Sequence, residues 1–385
     1  MTTAAPGQAP GVDADSAIGT AADELDTPAV IVDLDRLEAN LSRMADRAAR
    51  AGVRLRPHAK THKSAWIASE QLRHGAGGLT VAKLGEAEAF VDAGATDILI
   101  AYPIVGNQKL ARLRELALRA RVIANLDDIA VAEGLSRVAR TLPRPLEVML
   151  EVDSGLHRVG RAPGESSAAT GRQVSRLPGL NLLGLLTHAG HSYRAKSPQE
   201  REAIALDEAR ALVETADALA QDGVSVHEMS VGSTPTAASL ERVKSAYPAI
   251  TEMRPGTYVF NDANQVSLGV ASEGECALRV LVTVISRPAP DRMVVDAGSK
   301  TLAADAGQQA GFGRVVGHPE FLVERLSEEH AVVVIPPTAT CRIGGRLAII
   351  PNHACPVPNL ADSVFGVRNG RVERVIRIDA RGRNR

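Results

Sequence analysis

Up to about residue 265 the chain repeats one pattern: a short apolar, β-branched run, then a longer stretch with apolar residues at helical spacing. The runs are Pro28–Leu34, Arg54–Lys60, Gly78–Lys83, Asp97–Tyr102, Arg121–Leu126, Leu146–Asp153, Leu182–His188, Val226–Gly232 and Thr251–Phe260. Between them, segments such as Leu37–Ala51 and Ile204–Leu219 place Leu, Met and Ala at three- and four-residue intervals, which gives a helix one apolar face. Strands joined through helices lie parallel, because a parallel neighbour needs a crossover long enough to return the chain. After residue 265 the helical spacers stop and strands follow one another alone, at Ala277–Arg287, Arg292–Asp296, His330–Ile335, Arg346–Pro351 and Val372–Ile378. The predicted fold is α/β: a (β/α)8 barrel followed by an all-β domain. Polar residues cluster where the parallel strands end (Lys60, Lys83, Tyr102, Asp153, His188, Ser233), which suits a closed barrel better than an open sheet with one crevice. Nine candidate strands leave one over, and periodicity does not say which.

Bulk properties narrow the function. A length of 385 residues with 45% hydrophobic content supplies cores for two domains. Lys+Arg 44 against Asp+Glu 45, and only 3% aromatic residues, argue against a nucleic-acid partner. No apolar run reaches the roughly 18 residues of a membrane span, so no membrane partner is expected. Met1 to about Ala22 has neither the basic nor the apolar region of a signal peptide and reads as a mobile tail. The three cysteines, Cys276, Cys341 and Cys355, are too few and odd for a disulfide framework, which points to a reducing, cytoplasmic setting.

Four motifs carry chemistry. Arg54-Leu55-Arg56-Pro57-His58-Ala59-Lys60-Thr61-His62-Lys63 puts a lysine at the end of a barrel strand among other cations, which lower its pKa and make it a better amine nucleophile. An ordinary basic loop is the competing reading. Gly232-Ser233-Thr234-Pro235-Thr236 and Arg254-Pro255-Gly256-Thr257-Tyr258 follow the last two strands, where barrels hold phosphate, although each alone suits a turn with a helix N-cap. Arg158 and His188 follow strands and face the mouth; an ion pair of Arg158 with Asp153, and a buried structural histidine, are their plain alternatives. Asn352-His353-Ala354-Cys355 spaces imidazole and thiol to one face of an extended segment, a soft pair suited to Zn2+. A plain histidine and a buried cysteine are the competing reading there.

Taken together, Arg56–Lys63, the barrel order, the Gly-Ser-Thr loop, Met253–Tyr258, Val295-Asp296-Ala297-Gly298 and Pro351–Pro356 resemble the D-serine dehydratase / D-threonine aldolase family, alanine-racemase-like enzymes that use pyridoxal phosphate. The resemblance runs from about Asp26 to the C-terminus. It implies that Lys60 carries the cofactor and acts as the catalytic base, with His58, Arg158 and His188 around the ring. It implies that Gly232, Ser233, Thr234, Gly256 and Thr257 surround the phosphate, and that His353 and Cys355 bind a divalent metal, Zn2+ before Mn2+ or Mg2+, which gives His353 a catalytic part. It also implies domain limits: a tail over 1–22, a strand of the β domain and a linking helix over 23–45, the barrel over 46–265 and the metal-bearing β domain over 266–385. The implied substrate is a small D-amino acid with a β-hydroxyl, and the implied assembly a homodimer. The aldolase branch typically has His-x-Asp where this chain has His-x-Cys, so elimination of water and ammonia is expected over retro-aldol cleavage. An amino-acid racemase needs a second acid/base, usually a tyrosine from the partner subunit, and no metal. A non-catalytic pyridoxal-phosphate carrier lacks the second domain.

Overall fold

The protein is described by a computed structural model over residues 14–385. Of the tail expected at 1–22, residues 1–13 lie outside the described residues, and the remainder corrects the expectation. Residues 14–22 contain a 3-10 turn at Ala14–Ala17 and pair with the β domain: Ala22 N–H donates to the Gly370 carbonyl at 2.8 Å and Val372 N–H to that of Thr20 at 2.9 Å. The cause is apolar, since Leu25 with Ala17 and Ala22 packs on Ile31, Val367 and Val372.

Strand β1 (Ala29–Asp33) is the one left over from the barrel. It lies antiparallel to Leu278–Ala289 and parallel to Ser363–Arg368, inside the β-domain sheet. Asp33 then caps the next helix by accepting from Arg36 N–H at 3.1 Å. That helix, Leu34–Arg50, buries Leu34, Leu37, Leu41, Met44 and Ala48 along one stripe, in a core shared by barrel and β domain.

The barrel strands are β2 (Arg54–Leu55), β3 (Leu79–Val81), β4 (Asp97–Ile100), β5 (Arg121–Leu126), β6 (Leu146–Glu151), β7 (Leu180–Leu186), β8 (Glu228–Val231) and β9 (Glu252–Met253), all parallel. Their order is β2-β9-β8-β7-β6-β5-β4-β3, and a bridge between His58 and Thr80, with Thr80 N–H donating to the Pro57 carbonyl at 2.8 Å, closes the ring. Alternation sorts the side chains: Val122, Ala124 and Leu126 face the helices, while Ile123 joins Leu99, Met149, Leu183 and Leu186 in a separate inner cluster. Where the strands begin, a chain of ion pairs forms the floor: Glu228–Arg54–Glu252–Arg56–Asp97–Arg121–Glu147, with Arg56 fully buried.

The run Thr251–Phe260 was expected as one strand. Only Glu252–Met253 is; Pro255-Gly256 breaks the ladder and Thr257–Val259 wind into a 3-10 turn.

The β domain comprises β10 (Leu278–Ala289), β11 (Arg292–Val295), β12 (Arg314–Val315), β13 (Leu322–Leu326), β14 (Ala331–Val334), β15 (Arg346–Ile350), β16 (Ser363–Arg368) and β17 (Arg371–Arg377). The long β10 pairs with both β11 and β15, so that β10-β11-β14-β13-β12-β15 close into an antiparallel barrel and β1, β16 and β17 extend the sheet beyond it. Strands β12, β13 and β16 were not apparent from the sequence: β12 has two residues, β13 carries Glu324 and Arg325 in succession, and Gly366 interrupts β16.

Candidate active site at the barrel mouth

Lys60 sits beyond the strand that leads to it. After β2 the His58 ring accepts the Lys60 backbone N–H at 3.4 Å, and Ala59–Thr61 make one 3-10 turn that presents the amine to the mouth. There Lys60 lines a cleft of about 350 Å³ with His58, Glu151, Arg158, His188, Gly232 and Arg254. Burial lowers the Lys60 ammonium, and Arg158 and Arg254 add to the shift against the pull of Cys355. Burial also drives His58 and His188 well below the ordinary imidazole value, with Lys60 the next cause for each, so both rings are neutral near pH 7.

The two arginines differ. Arg158 is half-exposed at the rim, 3.8 Å from Glu151, and does not pair with Asp153, which accepts the His157 ring at 2.7 Å instead. Arg254 is buried at the base of the cleft: Nη2 donates to the Thr187 carbonyl at 2.5 Å, and Nη1 has no hydrogen-bond partner. A buried cation with an open donor, beneath an uncommitted amine, fits a flat anionic aldehyde such as pyridoxal phosphate. In sequence, the glycine and threonine of the Arg254–Tyr258 motif mark it as an anion loop, and the part of its arginine emerges only from burial under the cleft.

Beside the cleft Ser233, Thr234, Gly256 and Thr257 are brought together, with Tyr193 and Ser192 added. Tyr193 Oη lies 3.2 Å from Thr257 Oγ1, Ser192 Oγ 3.0 Å from Ser233 Oγ, and Thr234 Oγ1 accepts Tyr258 N–H at 3.1 Å, leaving its own proton to donate. The Gly232 N–H is committed to Glu208 at 3.1 Å and the Ser233 N–H to Thr236 Oγ1 at 3.1 Å, so an anion here meets hydroxyls rather than those two amides. Gly232 has φ +113°, and a Cβ there would come within 3.2 Å of Arg254 N, so the turn requires glycine.

The β domain delivers the second half of the site. Asp262 accepts the Ala354 N–H at 3.0 Å and pins the His353–Cys355 segment, and burial raises its carboxyl to about 6. Cys355 Sγ lies 3.1 Å from Thr61 Oγ1, next in sequence to Lys60, and 3.8 Å from Thr257 Oγ1. Although burial opposes both charges, Cys355 holds the His353 imidazolium up to about 10, and His353 and Lys60 hold the Cys355 thiol below its usual value. His353 Nδ1 is 2.5 Å from Asp305 Oδ2, so Nε2 is the nitrogen left for a metal. Among the described residues no cluster of three or more His, Cys, Asp or Glu forms a complete metal cage. Imidazole and thiolate therefore fit a metal whose other positions go to water and substrate.

Comparison with known proteins identifies the family. The family Alanine racemase, N-terminal domain, matches residues 32–264, and the family Putative serine dehydratase domain matches residues 277–367. The chain belongs to the D-serine dehydratase / D-threonine aldolase family. Members of this family are pyridoxal-phosphate-dependent lyases, and so is this enzyme. It is 37% identical over 353 residues to the D-threo-3-hydroxyaspartate dehydratase of Delftia sp. (strain HT23), covering 86% of this chain and 91% of the relative. It is 36% identical over 369 residues to the D-threonine aldolase of Arthrobacter sp, covering 94% of each. The crystal structure of D-threonine aldolase from Filomicrobium marinum superimposes with a TM-score of 0.89 at 34% identity, over 96% of this chain and 98% of that one. A mutant of a D-threo-3-hydroxyaspartate dehydratase has been solved in a metal-free form, with a TM-score of 0.85 at 34% identity over 93% of this chain and 98% of that one.

Proposed function

We propose that this member of the family is a dehydratase: it converts D-amino acids with a β-hydroxyl, D-serine and D-threonine being the simplest, into a 2-oxo acid and ammonia. The observation that carries the reading is the approach of Cys355, with His353, to Thr61 beside Lys60, which sets a thiolate–imidazole pair next to the amine. Pyridoxal phosphate supplies an electron sink that acidifies the α-hydrogen of an attached amino acid. A divalent ion supplies a Lewis acid that makes hydroxide a better leaving group.

The chain's own residues do the rest. Lys60 Nζ takes the α-proton, and burial, with Arg158 and Arg254, lowers its pKa and so favours the neutral amine that a base requires. The amine approaches from one face, which selects one enantiomer, and the likeness to enzymes of D-amino acids makes it the D-form. Arg254 and Arg158 orient the cofactor in the cleft, neutral His188 and His58 flank it, and Ser233, Thr234, Gly256 and Thr257 take its phosphate. His353 and Cys355 hold the metal, with Zn2+ favoured by their soft donors over Mn2+ or Mg2+.

The enzyme is further proposed to be a cytoplasmic homodimer. Its cysteines are free, among the described residues no helix is long and apolar enough to cross a membrane, and Tyr102 and Val105 leave apolar surface open beside the mouth.

Retro-aldol cleavage is the second reading, favoured by the likeness to the two D-threonine aldolases. D-Threonine separates them: 2-oxobutyrate and ammonium in equal amounts support the dehydratase, and glycine with acetaldehyde as the main products refutes it. Racemised threonine alone refutes both.

A further inference from the structure

Glu208 lies within the helix Pro198–Ala220, outside the barrel wall, yet only 1% of it is exposed. Its Oε1 accepts two backbone N–H groups, Ala189 at 2.9 Å and Gly232 at 3.1 Å. Ala189 follows His188, and Gly232 precedes Ser233 and Thr234. The same two loops meet again where His188 Nδ1 lies 3.4 Å from the Gly232 carbonyl and where Ser192 Oγ meets Ser233 Oγ. Glu208 forms no ion pair among the described residues, and Arg254 is the cation whose charge acts on it. A carboxylate buried without an ion-pair partner is costly, and such a group persists where its hydrogen bonds define a geometry.

We infer that Glu208 is a positioning residue, splinting the His188–Ser192 loop to the Gly232–Thr236 loop so that the hydroxyls of Ser233 and Thr234 keep the spacing an anionic phosphate needs. The inference rests on reading this cleft as the cofactor site. Glu208 acts through the Ala189 and Gly232 amides and the Thr236 hydroxyl, and it does not line the cleft that takes cofactor and substrate. Its removal therefore acts on the phosphate end of the ligand and leaves the amine of Lys60 in place.

The test compares two ligands that differ only in the phosphate. Full-length protein resolved of its cofactor is titrated with pyridoxal phosphate and with pyridoxal, following the visible band. In Glu208→Ala the preference for the phosphorylated ligand is expected to fall about 100-fold, the equivalent of two lost charge-assisted bonds, while pyridoxal affinity moves less than about threefold. Glu208→Gln keeps a neutral acceptor, and the preference should fall about tenfold. Equal losses for both ligands would mark a merely structural residue and overturn the inference. So would an unchanged preference in Glu208→Gln, which decides the matter if the alanine variant does not fold. A wild-type protein that binds neither ligand would instead overturn the reading of the cleft, and this inference with it.

Discussion

Replacing Glu252 by Gln in the barrel floor tests how the fold holds its charges. Glu252 Oε2 accepts Arg56 Nε at 2.7 Å and lies 2.8 Å from Arg54 Nη2, while Oε1 accepts Ser230 Oγ at 2.7 Å. Arg56 is fully buried and its Nη2 is already unpaired, so after the substitution its charge is balanced by Asp97 alone. Breaking a buried pair costs about 3–5 kcal/mol because a charge is stranded. Arg54 is a third exposed and adds less. The expected loss is therefore about 3–4 kcal/mol, a large share of the roughly 5–15 kcal/mol a folded protein has. Urea unfolding followed by far-UV circular dichroism and by the single tryptophan, Trp66, measures it. The visible cofactor band should persist under native conditions because Lys60 itself is untouched, while cofactor affinity should weaken, since Glu252 is the leading carboxylate acting on Arg254. The double variant Arg56→Met/Glu252→Leu removes both charges and should recover most of the loss. A loss below about 1 kcal/mol in Glu252→Gln, or a double variant less stable than the single, would refute the reasoning. Acid gives an independent check. Burial alone would raise the Glu252 and Asp97 carboxyls, but Arg56 holds both below the ordinary value, with Arg54 and Arg121 assisting. Their contribution is then present above the unfolded carboxylate pKa of about 4 and is lost as pH falls through the lower folded values, so the variant should lose less stability than wild type over that range.

Three further outcomes concern the mouth. Borohydride should remove the visible band and leave the reduced cofactor on the Lys60 peptide, and Lys60→Ala should lower turnover on the order of 10³-fold; a label on Lys63, Lys83 or Lys300 would contradict the assignment. Chelation should abolish turnover while the band remains, and Cys355→Ala should do the same; full activity of that variant without added metal would exclude the metal role. Cys355→Asp should shift the products of D-threonine from 2-oxobutyrate towards glycine and acetaldehyde, read by amino-acid analysis of the same incubation.

What could be read beforehand were features with a period or a motif. β5 spans the residues its apolar alternation marked, and the Lys60 and His353–Cys355 segments stand out by composition. What could not be read were polar residues whose meaning depends on a distant element. Arg254 looks like a solvated cation until the barrel closes around it, and Glu151, beside Asn125, looks like a strand-end carboxylate. Tyr193 and Asp305 sit in loops that only tertiary contacts with Thr257 and His353 explain. Glu208 did leave a trace. In Pro198–Ala220 it falls three residues after Ala205 and four before Leu212, in phase with the buried Thr215 and Leu219, whereas its neighbour Asp207 is out of phase. A carboxylate on the buried stripe of a helix is a sign that something behind that helix needs holding.

The placement of β1 has a consequence for how the enzyme comes into being. β1 is made early, but its partners β10 and β16 emerge from the ribosome only after the whole barrel, so its backbone groups must wait for their ladder. Strands β3 to β9 pair with their neighbours in sequence, while β2 closes on β9, the last of them. Lys60 and the hydroxyl-bearing loops are thus made before His353 and Cys355, and the turn that carries Thr257 finishes packing only against the core that the β domain supplies. The β domain completes itself by taking back the first strand the chain made, and in doing so brings the thiolate to the amine.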